Sequence, residues 1–203
     1  MTQASKTSGT VNPSLHHVNL KTTRMPELID WYGKVIGLEV THLAEGGAWL
    51  TNDAANHRLA LLAVPGLEDD PEKTRHTGMH HSAYEYPTFD DLMDTFERLR
   101  AEGIEPAFCL DHGMTISMYY RDPDGNYVEL QADTFGDWAK SKSYMRTSPQ
   151  FKANPIGVFF DPARLHAAYK SGQSVDELHR AAMAGEFEPN PVPSIGLPPP
   201  PAQ

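Results

Sequence analysis

Cysteine is almost absent from this 203-residue chain, in which Cys109 is the only one. A single thiol cannot form an internal disulfide or a multi-thiolate zinc site, so any metal chemistry must come from other residues. No apolar run approaches the roughly 20 residues that a membrane-spanning helix needs. The opening stretch, MTQASKTSGTVNPS, lacks the apolar segment of a secretory signal. We therefore expect a cytoplasmic protein with no membrane partner.

Positive charge is also scarce. The chain has 17 Lys and Arg against 27 Asp and Glu, a formal net charge of −10, and no basic cluster. Electrostatic binding to the phosphate backbone of a nucleic acid is therefore not expected. The length and the 39% hydrophobic content suit one soluble domain with a sizeable core. The partners to expect are small molecules.

The pattern of strands and helices occurs twice. Apolar alternation predicts a strand near residues 15–20, a helix from Pro26 to Gly37, and three further strands before residue 64. The same order recurs in residues 79–133, and the pair His16-His17 recurs as His80-His81 at an equivalent point. We predict an α+β fold of two βαβββ modules, residues 14–64 and 79–133, joined by an acidic crossover at 65–78. Two such modules would curl around a shared cleft.

The ends of the chain show no such pattern. Residues 1–13 are polar and aperiodic and predict a flexible arm. Residues 134–203 predict an extension that wraps the domain or an oligomer partner, with one short helix at 175–183. Its Pro-rich end predicts about a dozen residues without ordered structure.

Three polar residues interrupt the apolar strands. His17 and His81 occupy equivalent positions in the two modules, and Glu129 lies within the last strand. A polar residue in a strand usually faces water on a half-buried sheet. The duplication favours another interpretation, since both imidazoles would point into one cleft with the carboxylate. Two histidines and one carboxylate on one face of a metal leave open positions, as in non-haem Fe(II) oxygenases.

The stretch HGMTISMYYRDPDGNYVE, residues 112–129, carries a resemblance to a known family. It resembles the signature of one-domain extradiol ring-cleaving dioxygenases of the vicinal oxygen chelate superfamily. In that signature a histidine, a tyrosine, a D-P-x-G turn and a metal-binding glutamate follow at these spacings. The resemblance covers residues 15–133. Leu110 departs from it, because the family usually has a small or β-branched residue there.

The resemblance implies a catechol-type substrate, such as 2,3-dihydroxybiphenyl, and O2. The implied metal is Fe(II), although the same ligands also accept Mn(II). The resemblance implies a role for each residue of the matching motifs. The implied metal ligands are His17, His81 and Glu129, the implied contacts to substrate oxygens are His112 and Tyr119, and the implied proton carrier is His57. His76, in the crossover, is the alternative proton carrier. Four aromatic residues are candidates for an aryl pocket or for the core: Trp31, Trp49, Tyr84 and Tyr120.

Two other functions occur on the predicted fold. Glyoxalase-like isomerases and epimerases use a fourth ligand, and the stretch from His57 to Val64 offers no carboxylate for it. A binding module that does not catalyse a reaction needs no metal, and the retained ligand types argue against it. A homo-oligomer is compatible with the long extension.

Overall fold

The structure, a computed structural model, describes residues 11–198. The first half contains, in order, β1 (Val18–Lys21), α1 (Met25–Ile36), β2 (Glu39–Ala44), β3 (Gly47–Thr51) and β4 (Leu59–Leu62). After a 3₁₀ turn at Lys73–Arg75, the second half contains β5 (His81–Tyr86), α2 (Phe89–Ala101), β6 (Phe108–Asp111), β7 (Thr115–Arg121) and β8 (Tyr127–Asp133). The predicted α+β fold with two βαβββ units is confirmed.

The C-terminal extension is more ordered than its sequence indicates. It contains α3 (Trp138–Thr147), α4 (Pro149–Ala153), β9 (Val158–Phe159), α5 (Pro162–Lys170) and α6 (Val175–Met183). Only α6 was predicted, and its bounds agree. Side chains cap these short helices at their N-termini: Ser174, for example, forms a reciprocal capping box with Glu177. Residues 1–10 of the predicted arm and 199–203 of the tail lie outside the described residues.

Two separate sheets result. The first has the strand order β1-β4-β3-β2, and the second has the order β5-β8-β7-β6-β9. β1 pairs in parallel with β4, and β5 pairs in parallel with β8. β1 and β5 therefore lie at the outer edges of their sheets, and the extension adds β9 to the far side of the second sheet.

Each helix packs an apolar face on its sheet. Leu28, Tyr32 and Val35 of α1 are fully buried, at spacings that place them on one side of the helix. The helix ends at Gly37, whose φ of 69° gives the left-handed cap that glycine adopts without strain. Helix α2 buries a similar apolar face, which consists of Leu92, Met93, Phe96 and Leu99. Among the described residues, no helix is long and apolar enough to cross a membrane.

The two halves join through α1 and the turn before β8. The Tyr32 hydroxyl donates to Asp122 Oδ2 at 3.1 Å in a buried position. Arg24 forms an ion pair with Asp124 at 2.9 Å and a second with Asp69. These contacts join helix and turn, and among residues 11–198 no strand of one sheet pairs with a strand of the other.

Candidate active site

A cleft of about 500 Å³ opens on the second sheet, beneath helix α3. Four of the predicted site residues line it: His81, His112, Tyr119 and Glu129. The second module and the extension supply the whole lining. The cleft predicted between the two modules is therefore not the one in which these four residues lie.

Strand pairing brings the four side chains together. Tyr119 of β7 lies opposite Glu129 of β8, so both project from the same face of the sheet. His81 begins β5, the parallel neighbour of β8. His112 lies in the turn between β6 and β7, where the backbone N–H of His112 donates to the carbonyl of Thr115 at 2.9 Å.

The four groups form one contact network around Glu129. His81 Nε2 lies 3.0 Å from Glu129 Oε2, and His112 Nε2 lies 3.8 Å from Glu129 Oε1. His112 Nε2 is also 2.9 Å from the Tyr119 hydroxyl. Two imidazoles and a phenol therefore converge on a single carboxylate.

Glu129 is charged although it is buried, with 5% of its surface exposed. Burial acts to raise the pKa of Glu129, but its polar contacts with His81, Ser117 and Tyr119 outweigh it and lower the pKa below its usual value. Burial and the neighbouring Glu129 charge raise the pKa of Tyr119. The cleft thus holds a carboxylate and a protonated phenol.

His112 is neutral and its hydrogen can be assigned. Burial lowers the pKa of His112, against the opposing charge of Glu129. Its Nδ1 lies 2.6 Å from the carbonyl oxygen of Ile156, which can only accept, so Nδ1 carries the hydrogen. Nε2 is then an acceptor, and the Tyr119 hydroxyl donates to it.

His81 and Glu129 fit a metal ion. Their facing atoms are 3.0 Å apart, and both a neutral imidazole nitrogen and a carboxylate oxygen present lone pairs. A proton or a metal cation between them makes that approach favourable. Histidine nitrogen and carboxylate oxygen are ligands that iron, manganese and zinc accept.

The structure places His17 elsewhere. His16, His17 and His57 have ligand nitrogens within 4.8 Å of one another, and among residues 11–198 they are the group of three that meets this spacing. The ligand nitrogens of His17 therefore do not lie within 4.8 Å of the ligand atoms of both His81 and Glu129. The ring centroids of His17 and His57 are 4.2 Å apart. Partial burial lowers the pKa of His57, and His17 and His16 lower it further.

His76 also lies away from the site. It is exposed, and its Nδ1 is hydrogen-bonded to Asp70 Oδ2 at 2.7 Å. It lines a larger cleft of about 700 Å³, which charged residues such as Arg24 and Asp124 also border. The larger cleft is not lined by any of the four site residues, His81, His112, Tyr119 and Glu129. Its size therefore does not make it the better candidate.

The apolar wall of the site comes from residues that sequence reasoning missed. Met114, Trp138 and Met145 line the cleft beside the polar network, and Trp138 Nε1 donates to Glu85 at 2.6 Å. The four aromatic residues suggested by the sequence do not line it, and Tyr120 belongs to the core. Trp138 and Met145 lie on α3, whose Lys- and Ser-rich sequence gave little sign of a packed helix.

Comparison with known proteins adds independent findings. The family model described as the Glyoxalase/Bleomycin resistance protein/Dioxygenase superfamily matches residues 14–130. Biphenyl-2,3-diol 1,2-dioxygenase 2 of Rhodococcus globerulus is 41% identical over 189 residues, which is 93% of this chain and 98% of that protein. Biphenyl-2,3-diol 1,2-dioxygenase 3 of the same organism is 42% identical, over 88% and 94% respectively. A match of 189 residues necessarily includes much of the extension.

Among solved structures, a glyoxalase/dioxygenase from Nostoc punctiforme is 22% identical, with a TM-score of 0.49. The match covers 61% of this chain and 99% of that one.

Proposed function

Because the chain belongs to the Glyoxalase/Bleomycin resistance protein/Dioxygenase superfamily, we propose that it is an extradiol ring-cleaving dioxygenase. It inserts both atoms of O2 into a catechol-type substrate, 2,3-dihydroxybiphenyl or a related aryl diol. The observation that carries the proposal is the grouping of His81, His112, Tyr119 and Glu129 in one cleft. The names of the two Rhodococcus globerulus relatives, at 41% and 42% identity, support the reaction and the substrate class.

The proposed metal is Fe(II), held by His81 and Glu129 with His17 as the third ligand. When bound, a divalent cation lowers the pKa of a coordinated hydroxyl and holds the diol and O2 side by side. The short distance between His81 Nε2 and Glu129 Oε2 supports the first two ligands. His17 must approach them to complete the set.

The sheet topology suggests how His17 approaches. His17 immediately precedes β1, His81 begins β5, and each of these strands lies at the edge of its sheet. An exposed strand edge is a template for pairing. Pairing of the two edges, within one chain or between two copies, would bring the equivalent histidines together.

His112 and Tyr119 handle protons beside the substrate. When the Tyr119 hydroxyl turns from His112 to the substrate, Nε2 of His112 is free as a neutral acceptor and can take the proton of a diol hydroxyl at that atom. Tyr119 keeps its proton because its pKa is raised, and its hydroxyl can donate to an oxygen on which negative charge develops. His57 remains the proposed carrier of a second proton, and that role requires the same approach as for His17.

The apolar wall favours a substrate with a second ring. Met114, Trp138 and Met145 lie beside the polar network and offer thioether and indole surfaces to an aryl group. The indole of Trp138 is largely exposed, with 71% of its surface accessible, so ring burial there is available to a ligand. We therefore expect biaryl diols to be better substrates than catechol itself.

The proposal is tested by anaerobic loading with Fe(II), followed by O2 uptake and visible absorbance with 2,3-dihydroxybiphenyl and with catechol. We expect a yellow ring-opened product and one O2 consumed per diol. In Tyr119→Phe we expect kcat to fall by about 10²-fold. Tyr120→Phe is the matched control, since Tyr120 neighbours it in the strand but faces the core. No O2 uptake by iron-loaded protein would refute the proposed reaction.

The source of His17 is tested by mixing His17→Ala with His81→Ala. Each variant alone should lose activity. If two copies share each site, a mixed dimer regains one intact site of two, and random exchange restores about a quarter of the wild-type activity. If one chain supplies the whole set, mixing restores nothing. Full metal binding by His17→Ala would remove His17 from the ligand set.

A further inference from the structure

We propose that the C-terminal extension fixes which ring nitrogens of the two site histidines carry hydrogen. It does so through two backbone carbonyls, that of Ile195 for His81 and that of Ile156 for His112. The inference rests on the proposed function for the importance of these two histidines. It assigns a purpose to residues 134–198, which the family match to residues 14–130 does not cover.

The contact with His81 runs through His80. His80 Nε2 lies 2.8 Å from the carbonyl oxygen of Ile195, so this nitrogen carries a hydrogen and donates it. In neutral His80, Nδ1 is then an acceptor. It lies 2.8 Å from His81 Nδ1, which must therefore be the donor.

This relay determines whether the nitrogen of His81 that faces Glu129 is available to bind a metal. With hydrogen held on Nδ1, Nε2 is the ring nitrogen of His81 that can give up hydrogen to bind a metal, and it lies 3.0 Å from Glu129 Oε2. An unprotonated nitrogen is the form that binds a metal. Without the relay, His81 can move its hydrogen to Nε2 and donate it to Glu129, and that hydrogen bond competes with metal binding.

His112 receives the same control directly. The carbonyl of Ile156 accepts from its Nδ1 at 2.6 Å and leaves Nε2 as the acceptor that faces Tyr119. The carbonyl is held in place because Val158, two residues later, pairs with Asp111, the neighbour of His112. Fully buried Asp111 also binds His179 of α6 at 2.7 Å. The extension therefore contacts the loop around His112 at two separate points.

A glycine follows the isoleucine at both places. Gly157 has a φ of 93° and Gly196 a φ of 73°, a conformation that L side chains rarely adopt. A Cβ on Gly157 would lie 2.1 Å from the carbonyl oxygen of Asp111. A Cβ on Gly196 would lie 2.5 Å from the ring of Tyr127, on which His80 stacks with centroids 5.1 Å apart. The two Ile-Gly pairs thus allow the backbone of the extension to approach closely enough for its carbonyls to reach the histidines.

The test reads the tautomers directly, by ¹⁵N NMR of the imidazoles in the metal-free protein. In the wild type we expect His81 and His112 to carry hydrogen on Nδ1. In His80→Phe, which keeps an aromatic ring against Tyr127 but removes the relay, we expect the hydrogen of His81 to shift to Nε2. Gly196→Ala should cause the same shift through the backbone, so the test does not depend on the folding of one variant.

Gly185→Ala is the matched control. Gly185 lies in the same extension with a φ of 79°, but a Cβ there meets nothing within 4 Å. It should therefore share the conformational cost of Gly196→Ala and leave both tautomers unchanged. Anaerobic titration with Fe(II) should show about 10- to 100-fold weaker binding in His80→Phe and Gly196→Ala than in this control.

The outcomes separate the inference from the proposed function. Absence of hydrogen from Nδ1 of His81 in the wild type, or an unchanged tautomer in both variants, would overturn the inference whatever reaction the protein catalyses. The expected tautomers together with no O2 uptake on any diol would support the inference and refute the dioxygenase reaction.

Discussion

Substitution of Gly157 by alanine tests how closely the extension must approach the active site. The backbone φ of Gly157 is 93°, and an added Cβ would lie 2.1 Å from the carbonyl oxygen of Asp111 and 2.8 Å from Cα of His112. Ordinary van der Waals contact begins at 3.4 Å. The segment that carries the Ile156 carbonyl must therefore retreat from the Asp111 carbonyl by more than about 1 Å, and it moves away from His112 with that shift.

The expected loss of activity follows from that displacement. The hydrogen bond from His112 Nδ1 to Ile156 is 2.6 Å long, and a retreat of this size breaks it. The imidazole is then free to turn or to move its hydrogen to Nε2. A misplacement of about 1 Å in a catalytic group can cost about 10²-fold in rate, so we expect kcat/KM for 2,3-dihydroxybiphenyl to fall by about that factor.

Gly172→Ala separates this effect from backbone strain. Gly172 has a φ of 95°, within two degrees of Gly157, and a Cβ there meets nothing within 4 Å. An L residue in this region costs roughly 1–2 kcal/mol of stability, so urea unfolding should show a loss of that size in Gly172→Ala and a larger loss in Gly157→Ala, where the clash is added. Activity should fall only in Gly157→Ala. Equal kcat/KM values for the two variants would show that the close approach at Gly157 has no role in positioning His112.

Three further predictions concern the metal, the core and pH. Glu129→Gln keeps the shape but removes the charge, so metal analysis after Fe(II) loading should show iron falling from about one per chain to a small fraction of that. Leu92→Ala opens a cavity at a fully buried position and should lower the free energy of unfolding by about 2–5 kcal/mol in urea titrations. The hydrogen bond to Asp111 raises the pKa of His179, so the protonated form stabilises the fold. The stability difference between wild type and His179→Asn should be largest below about pH 6.5 and shrink as the pH rises through the raised pKa, and a pH-independent difference would contradict this reasoning.

Much of the fold was predictable because its signals are local and repeated. The apolar spacing of Leu28, Tyr32 and Val35 is helical, and glycine at position 37 ends the helix, so the predicted and observed bounds of α1 differ by about one residue. The duplicated His-His pair marked the start of each module. Helices α3 and α5 escaped prediction because their apolar residues are less regularly spaced on one face than those of α6. Strand β9 escaped because it has two residues and depends on pairing with β6, which is distant in sequence.

The active site was predictable where one local motif carries it. His112, Tyr119 and Glu129 lie within 18 residues of sequence, and strand pairing alone brings them together. The position of His17 depends instead on how the modules pack. That packing is determined by single contacts, such as Tyr32 with Asp122, which no periodic pattern in the sequence reveals. His17 therefore stays a predicted ligand that the mixing experiment must test.

The carbonyls that bind His80 and His112 were invisible for a different reason. Every residue has a backbone carbonyl, so sequence alone cannot show which of them accepts a hydrogen bond. Close approach to a packed neighbour is what distinguishes these two, and only glycine permits it at the residues that follow. Positive φ alone is not the criterion, since Gly172 and Gly185 share it without a contact. Loss of activity on substitution of Gly157 and Gly196 by alanine, with activity kept on the same substitution of Gly172 and Gly185, would therefore identify the extension as part of the active site. The extension would then do more than stabilise the fold.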